Sequence, residues 1–173
     1  MIRLANINDL NQVMNCINDA KSLFKNDGSD QWQDLDNYPN ESTMTNDINR
    51  NELYVYEENN QILGCIVLSS KMEQCYDDMN IGSWINNGPY MVIHRLAVRK
   101  NQYRKGIAKS LIDFTIELTK KVNIKSIKVD TKRENIRMLN LLTKCGFEKR
   151  GIIYLLREDV LDKERIALEL KIN

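Results

Sequence analysis

Residues 92–108, Val-Ile-His-Arg-Leu-Ala-Val-Arg-Lys-Asn-Gln-Tyr-Arg-Lys-Gly-Ile-Ala, decide how this chain is read. An apolar strand pattern runs through a short basic turn directly into a glycine-started helix. The first turn of a helix leaves backbone N–H groups without intrahelical partners and carries the positive end of the dipole, so the junction makes a seat for an anion. Gly106 lets the main chain approach such a ligand closely, and Arg99, Lys100, Arg104 and Lys105 add charge around it. The stretch predicts a phosphate-bearing ligand.

The rest of the composition makes that attraction local. With 173 residues, 42% hydrophobic and 28% charged, the chain suits one domain over 1–173 whose core needs neither disulfide nor metal. A net charge of +1 gives no global pull toward nucleic acid or an anionic membrane, and neither is expected as a partner. The apolar runs at 63–68 and 151–156 fall far short of the roughly 20 residues that cross a bilayer. Met1-Ile2-Arg3-Leu4 lacks the apolar core of a secretory signal, so a cytoplasmic location is expected. Cys16, Cys65, Cys75 and Cys145 form no Cys-x-x-Cys pair, and with a single His they give no metal-site spacing.

Outward from the opening stretch, period and punctuation give the elements. A short strand at Ile2 and Leu4 precedes a helix over 8–24, where Ile7, Leu10, Val13, Met14, Ile17 and Ala20 recur at helical spacing. A polar segment, 26–42, carries Trp32 and Tyr38 and leads into a brief helix at 41–50 capped by Asn40 or Ser42. Strands at 53–57 and 61–69 form a hairpin. A long connection, 71–88, holds Cys75, Tyr76 and Trp84, and such length predicts a functional loop. Then come a strand at 90–98, a helix at 106–121 with Ile107, Leu111, Phe114 and Leu118 on one face, a strand at 126–131, a helix at 135–144 ended by Gly146, and strands at 147–156 and 164–172. The result is an α/β domain on one mixed sheet of about seven strands.

In order of elements and in motif the chain resembles the GNAT (Gcn5-related) N-acetyltransferases over essentially its whole length, which implies the GNAT-type (acyl-CoA N-acyltransferase) fold with helices on both faces of the sheet. His94-Arg95-Leu96-Ala97-Val98 is similar to the family's central strand, which splays from its neighbour to admit acetyl-CoA. Tyr103-Arg104-Lys105-Gly106-Ile107-Ala108 resembles the pyrophosphate loop, Gln/Arg-x-x-Gly-x-Gly/Ala, with Tyr103 in its first position. Asp130-Thr131 followed by Asn135, Met138, Leu141 and Gly146-Phe147 resembles the second cofactor segment, where the Asn contacts the pantetheine arm. Four residues before that Gly, many members carry a tyrosine that protonates the departing thiolate; here Leu142 excludes one.

What the resemblance implies is transfer of an acetyl group from acetyl-CoA to a primary amine, with Leu96 supplying the oxyanion donor. The thiol of coenzyme A, with a pKa near 8.5, leaves without an acid, whereas a primary amine near 10.4 must lose its proton before attack. His94 is the leading base, similar in position to a histidine of serotonin N-acetyltransferase, and Tyr154 or Tyr90 is a further proton donor. Trp32, Tyr38, Trp84 and Tyr90 are the expected acceptor wall for a small-molecule amine, a homodimer contact being the other use of such rings. Each has a plainer role: Asn135 as a helix cap, His94 as a hydrogen-bonded semi-core residue, the aromatics as cover for the core. The competing readings are a protein N-acetyltransferase, a non-catalytic acyl-CoA module, and a nucleotide site, the last opposed because Ile107 follows Gly106 where a P-loop needs Lys.

Overall fold

The computed structural model describes residues 1–157, 160 and 162–173. The chain packs as two compact units, residues 1–68 with 94–114 and residues 69–93 with 115–173.

In the first unit the strand order is β1 (Ile2–Leu4), β2 (Leu53–Glu58), β3 (Gln61–Ser69), then residues 94–98 of β5 (Met91–Val98). β1 and β3 both run antiparallel to β2. Helix α1 (Leu10–Asn26) buries Val13, Cys16, Ile17 and Ala20 at i, i+3, i+4, i+7; of the residues expected at helical spacing Val13, Ile17 and Ala20 are buried, Leu10 and Met14 half-buried, and Ile7 is exposed. It starts two residues later than expected, because Ile7–Asp9 form a 3-10 turn capped by the Asn6 side chain. Helix α2 (Glu41–Asn49) is capped by Asn40, whose side chain accepts from the Thr43 N–H at 3.0 Å. Met44 and Ile48 of α2 join the α1 stripe over Leu53, Val55, Cys65, Val67 and Ala97. On the opposite face Tyr54 meets Phe114 of α4 (Ile107–Lys121) with ring centroids 5.1 Å apart, so helices cover both faces here. Gly64 permits this approach, since a Cβ there would lie 2.9 Å from Ile107 and 3.2 Å from the Ala97 carbonyl oxygen.

The second unit orders residues 91–93 of β5 beside β6 (Ser126–Thr131), β8 (Glu164–Lys171), β7 (Glu148–Tyr154) and β4 (Ile81–Gly82). The two-residue β4 makes eight strands rather than about seven; it lies inside the long connection, which also holds α3 (Gln74–Asp77). β5 and β6 are parallel with the register Met91↔Ile127 and Val92↔Lys128, whereas β6 stays paired with β8 through Thr131↔Ile166. Helix α5 (Ile136–Lys144) buries Leu139 and Leu142, and Gly146 follows at φ +91°, the left-handed exit the sequence predicts.

Three expectations change. The stripe of α4 is Ile107, Leu111, Ile112, Thr115 and Thr119, with Phe114 and Leu118 half-buried. Buried threonine is tolerated because the Thr119 hydroxyl donates to the Thr115 carbonyl at 2.7 Å. Lys132 carries a charge that would ordinarily face solvent, yet it is 2% exposed and pairs with Asp162 at 3.1 Å. Strict alternation along β5 fails because Arg95 sits at φ +49°, outside the extended region.

Near the N-terminus the Arg3 guanidinium grips Asp9 at 2.7 and 3.0 Å. That contact, against the opposing effect of burial and with help from the Asn6 N–H, holds the Asp9 carboxyl below the usual carboxylate range. A depressed carboxylate stabilises the fold fully above its unfolded pKa, about 3.9, and loses that contribution as pH falls through the lower native value. Asp9→Asn should therefore flatten the acid side of the stability profile in urea titrations from pH 5 downward. An unchanged slope would show that Asp9 does not carry it.

Candidate active site

The second half of β5 begins the site. His94, Leu96 and Val98 are half-buried and Ala97 is 3% exposed. The left-handed Arg95 turns the following peptide out of the regular pleat, making a bulge. Its carbonyl oxygen faces β3, where the Cys65 Sγ lies 4.0 Å away. A trans peptide points its N–H opposite to its C=O, so the Leu96 N–H is directed away from β3. An outward main-chain donor at this position is what an oxyanion needs.

Three residues further on, the basic turn is fastened to α1. Arg99 Nε donates to Asp19 Oδ2 at 2.7 Å, the Lys100 N–H to the same oxygen at 3.0 Å, and the Tyr103 hydroxyl to the Asp19 carbonyl at 3.3 Å. Arg99 therefore spends its charge on Asp19, and Tyr103 uses its side chain as a strut where the motif has Gln or Arg. A cavity of about 230 Å³ is lined by Asp19, Arg99, Lys100 and Asn101, and the Arg99–Asp19 pair leaves Lys100 as its remaining charge.

The loop residues that remain turned to solvent are Arg104, Lys105 and Gly106. Arg104 lies at φ +64° and Gly106 at φ +84°, and backbone of alternating hand turns successive N–H groups into one concavity that suits an anion. Ile107 anchors the start of α4 in the core, and the Ser110 N–H already reaches back to the Gly106 carbonyl at 2.9 Å. A Cβ built on Gly106 would meet no protein atom within 4 Å, so the space over the helix start is open. With Ala108 half-buried in the first turn, this is a cradle of size and charge for a phosphate.

The aromatic residues fall in separate clusters. Trp32 stands edge-on to Phe24 at 5.3 Å against the first core. Tyr38 is tied to β5, its hydroxyl accepting from Arg95 Nη1 at 2.8 Å. In the second unit Trp84 donates from Nε1 to the Tyr76 carbonyl at 2.7 Å, and its ring lies 5.3 Å from that of Tyr76. Tyr90 is 2% exposed, and its hydroxyl accepts from the Glu73 N–H at 3.0 Å. Burial pushes the Tyr90 hydroxyl pKa up, which keeps it protonated at neutral pH. Tyr154 is 43% exposed at the end of β7, opposite Glu164. Asn135 caps α5, accepting from the Met138 N–H at 3.2 Å, while its Nδ2 donates to Thr131 at 3.1 Å. Leu142 is fully buried.

Residues that sequence reasoning passed over hold much of this in place. Asp47, fully buried, takes both arms of the Arg95 guanidinium at 2.7 and 2.9 Å and Arg50 at 2.7 Å. Its signal was an acid sharing a helix face with Met44 and Ile48. Lys128 lies over the rings of Tyr90 and Trp84 at 3.9 and 4.4 Å, with its pKa lowered by burial against the pull of Glu169 and Asp77. Glu169, fully buried, accepts from Ser126 and from the backbone of Ile85 and Asn86. Lys128 and Glu169 alternate with apolar neighbours as solvent-facing residues would, so nothing local marked them.

A strand bulge that turns one N–H outward, followed by a glycine-started anion cradle, defines an acyltransferase that uses a coenzyme A thioester. Residues 17–147 match the Acetyltransferase (GNAT) family, and the chain belongs to that family, whose cosubstrate is acetyl-CoA. A GNAT-family acetyltransferase from Streptococcus agalactiae 2603 superposes at TM-score 0.89 with 29% identity, covering 100% of this chain and 95% of that one. A candidate acetyltransferase from Staphylococcus aureus Mu50 does so at 0.76 with 30% identity, covering 100% and 99%. A candidate streptothricin acetyltransferase from Bacillus anthracis, in complex with acetyl coenzyme A, matches at 0.53 with 26% identity over 69% of this chain and 61% of that one. No curated protein matches the sequence. Among the described residues no helix is long and apolar enough to cross a membrane.

Proposed function

We propose that residues 1–173 act as one catalytic domain in the cytoplasm, transferring an acetyl group from acetyl-CoA to the primary amine of a small molecule by direct attack in a ternary complex. The observation that carries this reading is the left-handed Arg95 with its carbonyl oxygen on the β3 side, a geometry that directs the Leu96 N–H away from β3. The loop from Tyr103 to Ala108 holds the pyrophosphate through its backbone, Leu96 to Val98 run along the thioester arm, and Asn135 meets the pantetheine while capping α5. His94 takes a proton from the amine, directly or through water, and the freed lone pair attacks the thioester carbon. The oxyanion is received by the Leu96 N–H; as it collapses, the C–S bond breaks, the attacking nitrogen gives its extra proton to solvent to leave the neutral amide, and the departing thiolate takes one from solvent. Leu142 offers no acid, and a thiol of pKa near 8.5 needs none. Tyr154, exposed at its strand end, is the further proton carrier toward solvent.

Trp32, Tyr38, Trp84 and Tyr90 shape the acceptor's surroundings, and the streptothricin named for the Bacillus anthracis structure supports a small-molecule acceptor. Titration calorimetry with acetyl-CoA at low salt tests the first step, and thioester-cleavage screening against polyamines, aminoglycosides, amino acids and peptides tests the second. His94→Gln should retain acetyl-CoA binding and lose the acid limb of the pH–rate profile, with kcat down about a hundredfold. An unchanged profile removes the base assignment while leaving the class intact. Acetyl-CoA binding without turnover across the panel would favour a non-catalytic module, to which Leu142 in the acid's place also points.

A further inference from the structure

Resting on that reading and going beyond it, we infer that Arg95 is a positioning residue whose guanidinium fixes, through Asp47 and Tyr38, both the oxyanion-binding bulge of β5 and the acceptor-side aromatic loop. Arginine has no intrinsic preference for φ +49°, and holding a non-glycine residue there is unfavourable. Such a conformation persists where its surroundings over-determine it, and the restraint is visible. Arg95 Nε and Nη2 grip the two oxygens of Asp47 at 2.7 and 2.9 Å, and Nη1 donates to the Tyr38 hydroxyl at 2.8 Å. Asp47 is itself immobile, fully buried on α2 and held from a second side by Arg50 at 2.7 Å.

The fork is planar, so once two arms are fixed on Asp47 the third direction is fixed as well. That third arm reaches the loop at 26–42 and sets where the Tyr38 ring stands. At the same residue the backbone is turned so that its carbonyl faces Cys65 and the next N–H faces away from β3. One side chain thus couples the donor that receives the oxyanion to the ring expected beside the incoming amine. A lysine keeps the charge but not the fork; a glycine keeps the left-handed backbone but not the side chain.

The experiment uses the full chain as wild type, Arg95→Lys and Arg95→Gly, each checked by thermal melting. Coenzyme A thiol release from acetyl-CoA is followed without amine and with spermidine, and acetyl-CoA affinity is measured separately. Both variants should retain acetyl-CoA binding while kcat per folded molecule falls about ten- to a hundredfold, in slow hydrolysis as well as in transfer. Wild-type kcat in Arg95→Gly overturns the inference, as does a lower melting temperature with kcat per folded molecule unchanged. Should neither variant fold, Asp47→Asn, which loosens the fork from the far side, must show the same fall in kcat, and wild-type kcat there overturns the inference. A wild-type protein that fails to bind acetyl-CoA strikes the transferase reading itself and the inference with it, an outcome separate from one in which only the Arg95 variants behave as wild type.

Discussion

Replacing Gly106 with alanine weakens acetyl-CoA binding about ten- to a hundredfold while costing the free protein only about 1–2 kcal/mol of stability. The two effects separate because of what surrounds the residue. At φ +84° any L side chain is strained, which sets the stability cost, yet the added Cβ touches no protein atom. The methyl group instead enters the open space over the first turn of α4, beside the exposed residues Arg104 and Lys105. A phosphate drawn to those N–H groups is held off by the methyl, and its hydrogen bonds lengthen. Calorimetry with acetyl-CoA reads the affinity, and chemical denaturation without ligand reads the stability. A loss of stability with acetyl-CoA affinity unchanged would mean that strain alone is at work and that the phosphate lies elsewhere, since strain common to the free and bound protein cancels from the affinity.

The opening stretch was legible because its signals are local. An apolar run, a glycine at a strand-to-helix junction and the Ile107 and Leu111 spacing each act over a few residues, and the structure returns β5 and α4 within a residue or two of their expected bounds. Gly146 and the Asn40 and Asn135 caps were legible for the same reason. The bulge at Arg95 was not, since nothing in His-Arg-Leu calls for a left-handed residue; the conformation is imposed by Asp47, 48 positions away in sequence. Tyr103 shows the same limit in the other direction. Its place in the motif predicted a role toward the cofactor, while its hydroxyl donates to the carbonyl of Asp19 on α1. Lys128 and Glu169 alternate with apolar neighbours, a local pattern that does not distinguish a buried charge from a solvated one, and only tertiary cover shows that both are buried.

Glu169 carries the second large expected effect. Its carboxylate is wholly buried on β8 and accepts from Ser126 Oγ at 2.6 Å, the Ile85 N–H at 2.5 Å and the Asn86 N–H at 3.1 Å. It stands opposite Lys128 in the β6–β8 register, and the Lys128 ammonium in turn lies against the faces of the Trp84 and Tyr90 rings. Glu169→Ala leaves two backbone donors and a hydroxyl unpaired in dry surroundings at about 1–3 kcal/mol each, partly relieved by water entering the space, so a net loss of about 3–5 kcal/mol is expected. Glu169→Gln keeps the shape and one acceptor oxygen and should lose less than half of that. The anchored backbone, residues 85 and 86, directly follows Trp84, so the loss should fall on the loop that carries this ring more than on the cofactor cradle of the other unit. On the proposed role of Trp84 beside the acceptor, the KM for an accepted amine should rise about tenfold in the glutamine variant with acetyl-CoA affinity little changed, because the ring would be held in place only part of the time. Urea denaturation ranks the three proteins, and steady-state kinetics divides the effect between the two substrates. An alanine variant as stable as the wild type would mean that the loop is held by the Tyr76, Trp84 and Tyr90 rings alone, with the buried carboxylate a passenger.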